Sequence, residues 1–130
     1  MPVITPDSLE TIHRGSSTKT LVFLGDSITN GSVSSNFVTL LNKSLGDSFY
    51  LLNAGVDGDL VWNALQRIPS LIARNPDAFI ILLGTNDVNA SLSPENNMGY
   101  VLGKNLPQTP NFDWFTANYT SLLTNLKQST

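Results

Sequence analysis

Three short apolar segments, each followed by a polar turn that contains glycine, constrain the fold of this chain more than any other feature. They are Leu21–Leu24, Ser48–Asn53 and Ala78–Leu83. Short apolar runs bounded by turn residues are typical of strands buried on both faces of a parallel sheet. Helical patterns separate them, and this alternation predicts an α/β fold with right-handed crossovers. We expect a three-layer α/β/α arrangement around a flavodoxin-like parallel sheet of about three strands, in the order second, first, third.

Three helices are predicted from apolar residues spaced three and four apart. The first covers residues 37–45 with Ser34 or Ser35 as its cap, the second begins near Asp59, and the third covers residues 112–126. Residues 89–110 are polar and interrupted by prolines, so we expect a long surface loop of the kind that shapes a binding cleft.

Composition excludes several classes of protein. The 130 residues, 41% of them hydrophobic, suit one domain over residues 1–130 with a polar lead-in over residues 1–19. A net charge of -3 and sparse charged residues leave no basic patch for nucleic acid. No apolar run approaches the length of a membrane span, and no secretory signal is evident, so a cytoplasmic location is expected. The absence of cysteine excludes disulfides, thiolate zinc sites and a cysteine nucleophile.

The turns after the three strands carry complementary chemistry. Because parallel strands end at one edge of the sheet, the three turns are expected to converge there. The first presents the Ser27 hydroxyl as a candidate nucleophile, the second the backbone N–H of Gly58, and the third the side-chain amide of Asn86. A nucleophile and hydrogen-bond donors are what the tetrahedral intermediate of acyl transfer requires.

The same turns resemble the first three sequence blocks of the SGNH hydrolases, also called the GDSL esterase and lipase superfamily. The sequence GDSIT begins at Gly25, NAGVDG at Asn53 and GTND at Gly84, in the family's order. The resemblance implies a cofactor-free serine ester hydrolase acting on small-molecule esters or thioesters. It also implies that Ser27 is the nucleophile and that its own N–H, the Gly58 N–H and the Asn86 side chain form the oxyanion hole.

The fourth block of that family, an Asp-x-x-His motif that supplies the catalytic base, does not occur in this sequence. The only histidine is His13, which precedes the first strand. The resemblance therefore covers the N-terminal two-thirds of an SGNH domain, and we expect the 130-residue chain by itself to have little or no activity.

The same residues also have other interpretations. Taken singly, each turn is explained by structure, with Asp26 and Asp59 as turn and capping residues and Gly58 at a positive φ. A phosphate-binding loop is disfavoured because the Gly25 turn lacks the Gly-Lys-Ser/Thr ending. The acidic residues of the turns could suggest a metal site, but acyl transfer with an oxyanion hole does not require a metal ion.

Two expectations concern partners. A non-catalytic module that binds acyl or glycan ligands on the same fold is the alternative to an enzyme. In addition, the predicted third strand would lie at the edge of the sheet, and an apolar edge favours self-association.

Overall fold

The computed structural model describes residues 18–129, which form a sheet with helices on both sides. Most of the lead-in predicted for residues 1–19, including His13, lies outside the described residues, and the first strand already begins at Lys19. The elements in chain order are β1 (Lys19–Gly25), α1 (Ser27–Asn30), α2 (Phe37–Leu45), β2 (Phe49–Gly55), α3 (Val61–Ile72), β3 (Ala78–Leu82), α4 (Thr85–Ala90), α5 (Pro94–Gly103) and α6 (Phe112–Ser129).

The sheet is parallel with the strand order β2-β1-β3, which confirms the predicted flavodoxin-like arrangement. β1 lies in the centre and pairs with β2 along its whole length and with β3 from Leu21 onwards. In this register Gly25 of β1 faces both Gly55 of β2 and Leu82 of β3. All three strands therefore end at the same edge of the sheet.

The two faces of β1 are covered by different helices, since successive side chains of a strand point to opposite faces. Val22 and Leu24 are fully buried in the main core, which includes residues of α3 and α6 such as Leu122. On the other face the ring of Phe23 packs edge-on against that of Phe37 in α2, with centroids 5.9 Å apart. The three-layer prediction is confirmed.

The prediction of a long loop over residues 89–110 is wrong, because the segment is largely helical. The segment contains the end of α4 and all of α5. The prediction failed because α5 buries none of its residues and so lacks the apolar periodicity that marks a helix. The sequence nevertheless contains a signal for the start of α5. The Ser93 side chain caps the helix by accepting a hydrogen bond from the N–H of Asn96, and Pro94 occupies the first turn.

The cap of α2 also differs from the prediction. Asn36, rather than Ser34 or Ser35, caps the helix, and its Oδ1 accepts from the N–H of Thr39 at 3.0 Å. Ser34 instead donates to the carbonyl of Ile28. None of the helices within residues 18–129 is long and apolar enough to cross a membrane.

Candidate active site

The first turn holds Ser27 at the start of α1, directly after β1. Asp26 caps this short helix, as predicted, and its Oδ1 accepts from the N–H of Ile28 at 3.0 Å. Gly25 is required by close packing, since a Cβ there would lie 2.9 Å from the carbonyl oxygen of Leu82 and even closer to Thr29. Ser27 itself is partly exposed, and its hydroxyl has no hydrogen-bond partner among the described residues. The hydroxyl is therefore not committed to a hydrogen bond with any residue in the range 18–129.

The second turn places Gly58 beside the first. Gly58 has a φ of 74°, in the left-handed region that glycine adopts without strain. The neighbouring Asp57 carboxylate accepts from Nδ2 of Asn30 at 2.8 Å and from the Ser32 hydroxyl at 2.7 Å. These two hydrogen bonds lower the pKa of Asp57 below its ordinary value, and the one from Asn30 has the larger effect. They also tie the glycine turn to the residues that follow Ser27.

Asn86, in the third turn, connects to both of the others through its buried side-chain amide. Its Nδ2 donates to the carbonyl of Asp59 at 3.0 Å and lies 3.4 Å from Oδ2 of Asp26. Its Oδ1 accepts from the hydroxyl of Tyr100 at 2.7 Å. The structure therefore brings the turns of Ser27, Gly58 and Asn86 together, whereas His13 lies outside the described residues.

Asp59 was expected to serve as a turn or capping residue, but it is a buried carboxylate at the centre of an ion-pair cluster whose two cations are partly buried. Nζ of Lys104 lies 2.8 Å from one carboxylate oxygen. Nε of Arg67 donates to the other oxygen at 3.0 Å, and Nη2 lies 2.9 Å from it as an ion-pair contact without hydrogen-bond geometry. Arg67 also donates to the carbonyl of Ala54. The cluster joins β2, the glycine turn, α3 and the segment after α5.

Asp87 is a buried carboxylate that is only partly satisfied. It is 5% exposed, and Oδ2 accepts from the N–H of Val61 at 3.1 Å, so Asp87 supports the first turn of α3. Oδ1 has no hydrogen-bond partner within the part of the chain that the structure describes. Burial raises the pKa of Asp87 to about 6, against the effect of the Val61 hydrogen bond, and the charge of Asp26 raises it further.

An apolar groove of about 920 Å³ lies beside Asp87. It is formed by α4, α5 and the beginning of α6, so the segment 89–110 does line a cleft. Several of its hydrophobic side chains are strongly exposed, namely Val88, Leu92, Met98 and Phe112.

Two residues from the segment 89–110, Tyr100 and Lys104, contact the turns, and the sequence predicted neither contact. Tyr100 lies in the last turn of α5, and Lys104 caps the end of that helix four positions later. Each reaches a different turn, Asn86 in one case and Asp57 together with Asp59 in the other. The cap at Ser93 and Pro94 is the sequence signal that would have placed them on a helix.

Comparison with known proteins gives a consistent picture. The sequence model of the GDSL-like Lipase/Acylhydrolase family matches residues 23–130. Esterase TesA of Pseudomonas aeruginosa is 35% identical over 83 residues, which cover 58% of this chain and 41% of that protein. Thioesterase 1/protease 1/lysophospholipase L1 of Escherichia coli is 30% identical over 86 residues, which cover 63% of this chain and 41% of that protein. The chain thus spans about two-fifths of the length of both relatives.

Solved structures show the same fold. A catalytic mutant of an acetylxylan esterase from Geobacillus stearothermophilus has a TM-score of 0.66 at 23% identity, covering 91% of this chain and 58% of that one. A crystal structure of TesA has a TM-score of 0.52 at 25% identity, covering 85% of this chain and 74% of that one.

Proposed function

The chain belongs to the GDSL-like lipase/acylhydrolase family, and on that basis we propose that it carries the nucleophile and oxyanion hole of a serine ester hydrolase. Ser27 is the nucleophile, and its own N–H, the N–H of Gly58 and Nδ2 of Asn86 are the oxyanion donors. The observation that carries this proposal is the Asn86 amide, which is hydrogen-bonded to the glycine turn and lies against the Asp26 carboxylate beside Ser27.

The proposed reaction has two steps. In the first, Oγ of Ser27 attacks the carbonyl carbon of an ester or thioester and gives its proton to a base, while the three donors stabilise the oxyanion. Collapse of the intermediate expels the alcohol or thiol, which takes up a proton, and leaves an acyl-serine. In the second, water attacks the acyl-serine, and the carboxylic acid leaves as Ser27 recovers its proton.

Donor availability supports the proposal. Within the described residues the N–H of Gly58 donates no hydrogen bond. Nδ2 of Asn86 has two hydrogens, and the contact of one of them with Asp26 is long at 3.4 Å. Both groups can therefore turn to a developing negative charge without first breaking a strong bond.

The base is the part that these 130 residues do not supply, since the sequence has one histidine, His13, and no Asp-x-x-His motif. We accordingly propose that the 130-residue chain by itself acylates slowly, because an unassisted serine hydroxyl is a weak nucleophile. Small-molecule esters or thioesters are the proposed substrates, with selectivity set by residues 89–110.

A fluorophosphonate probe tests this function directly. The purified chain is incubated with the probe, with and without imidazole as an external base, and the labelled residue is identified by mass spectrometry. We expect slow labelling of Ser27 that imidazole accelerates. Ser27→Ala abolishes it, and Ser35→Ala, which removes an exposed serine from the loop before α2, leaves it unchanged.

The oxyanion hole is tested in the same assay. Asn86→Ala should slow imidazole-assisted labelling about 100-fold, the usual effect of removing one oxyanion donor. Labelling at residues other than Ser27, or a rate indifferent to Asn86, would overturn the proposal. An absence of labelling together with saturable binding of a non-hydrolysable acyl ligand would instead favour a binding module, and fast labelling without imidazole would refute the claim of a missing base.

A further inference from the structure

We propose that α5 is a positioning element for the proposed oxyanion hole, because Tyr100 and Lys104 hold the oxygen ends of the two amides whose N–H groups are the proposed donors. The inference rests on the proposed function and extends it to residues outside the three turns. Tyr100 lies in the last turn of α5 and Lys104 is the residue that caps its end, so the end of one helix contacts both amides.

Lys104 acts on the peptide unit that contains the Gly58 N–H. Its Nζ donates to the carbonyl oxygen of Asp57 at 2.8 Å. That carbonyl and the N–H of Gly58 belong to the same trans peptide, in which they point in opposite directions. Anchoring the oxygen on the α5 side therefore directs the N–H away from α5. The stem of Lys104 also lies on Gly58, since a Cβ there would be 3.4 Å from Cδ of Lys104.

Tyr100 acts on the Asn86 side chain in the same way. Its hydroxyl donates to Oδ1 at 2.7 Å, so the NH2 group must occupy the opposite end of the amide. A rotated amide would turn Oδ1 towards the carbonyl of Asp59 and the carboxylate of Asp26, which are both acceptors, and would leave that carbonyl without its donor. The hydrogen bond at Oδ1 also polarises the amide and strengthens its N–H groups as donors.

The anchoring of α5 makes these contacts consequential. No residue of α5 is buried, and Tyr100 and Val101 are its residues that pack against the small buried cluster of Leu60, Ala90 and Leu106. Lys104 adds its ion pair with Asp59, 2.8 Å away. The polar contacts of Tyr100 and Lys104 therefore make an important contribution to holding α5 in position against the turns.

Nuclear magnetic resonance on the ¹⁵N-labelled 130-residue chain tests the positioning without requiring turnover. Asn86→Ala identifies the Asn86 side-chain signals. In Tyr100→Phe we expect those signals to shift and their exchange with solvent to speed up about tenfold, as for the loss of one hydrogen bond. In Lys104→Met, which keeps the aliphatic stem, the Gly58 amide signal should shift, because the carbonyl in the same peptide loses its donor.

Two matched controls separate positioning from general loosening. Tyr119→Phe removes a phenol oxygen on α6, in a residue that packs against Phe115 and the main core. Lys43→Met removes an exposed cation from α2 and leaves the contacts of Lys104 with Asp57 and Asp59 in place. Neither control should alter the Asn86 or Gly58 signals, and amides that are the same in Tyr100→Phe and Lys104→Met as in the wild type would overturn the inference.

The labelling assay then links position to chemistry. We expect Tyr100→Phe and Lys104→Met each to slow imidazole-assisted labelling of Ser27 about tenfold, less than the loss of a donor itself, with the probe concentration at half-maximal rate unchanged. A normal rate with displaced amides would also overturn the inference. If the wild-type chain fails to label at all, the proposed function fails, while the amide signals still decide whether α5 orients these groups.

Discussion

Replacing Asp87 by asparagine should change the dependence of stability on pH by an amount that follows from its burial. The pKa of Asp87 is raised from 3.8 to about 6 in the folded chain, because the carboxylate is 5% exposed and one of its oxygens has no hydrogen-bond partner. The folded state therefore binds the proton more tightly than the unfolded state. This tighter proton binding stabilises the folded state fully below pH 3.8, and the stabilisation is lost as pH rises through about 6.

The size of the effect follows from the shift. At about 1.36 kcal/mol per pKa unit, a rise from 3.8 to about 6 costs the native state about 3 kcal/mol once Asp87 is fully ionised. About 2 kcal/mol of this loss falls between pH 4 and pH 7. The asparagine side chain cannot ionise, and its carbonyl can still accept from the N–H of Val61, so Asp87→Asn should gain stability over the wild type by that amount as pH rises.

The assay is urea denaturation of both proteins at several pH values from 4 to 7. The measured quantity is the difference between their free energies of unfolding, in which the titration of other groups cancels. Asp47→Asn, at an exposed aspartate in the 3-10 turn before β2, is the control and should give a flat difference. A flat difference for Asp87→Asn as well, or one that falls with pH, would refute the assignment of a buried, poorly solvated carboxylate.

Three further changes test the core, the ion-pair cluster and the sheet edge. Leu122→Ala, at a fully buried site between α6 and the sheet, should lower the free energy of unfolding by about 3 to 4 kcal/mol in urea denaturation, whereas Leu123→Ala, 49% exposed, should change it by less than about 1 kcal/mol. Asp59→Asn leaves two cations without their buried carboxylate and should lower the free energy of unfolding by about 3 kcal/mol or more in the same urea experiment. A loss as small as that for an exposed ion pair would contradict the burial of the Asp59 carboxylate. The 130-residue chain should self-associate through β3, where Ile80 is 40% exposed, and Ile80→Lys should shift light scattering towards the monomer; a wild-type monomer at high concentration would count against this.

The sequence alone determined the sheet and the location of the candidate site. The short apolar run through Val22 and Leu24, bounded by Thr20 and Gly25, indicates a buried strand, and the helical spacing between such runs favours parallel crossovers. Parallel strands that end in register must present their turns at one edge, so the convergence of Ser27, Gly58 and Asn86 followed from local patterns. The exposed edge of β3 followed from the same order.

The tertiary structure alone decided what holds those turns in place. α5 has no buried face, so no periodic signal predicted it, and the hydrogen bond between Tyr100 and Asn86 exists only because that helix lies across the turns. The pairing of Asp59 with Arg67 and Lys104 likewise joins residues from separate parts of the chain. Apolar burial leaves a repeating pattern in the sequence, whereas a single polar contact between distant residues leaves none, and this is why the position of the three turns was predictable and the contacts that support them were not.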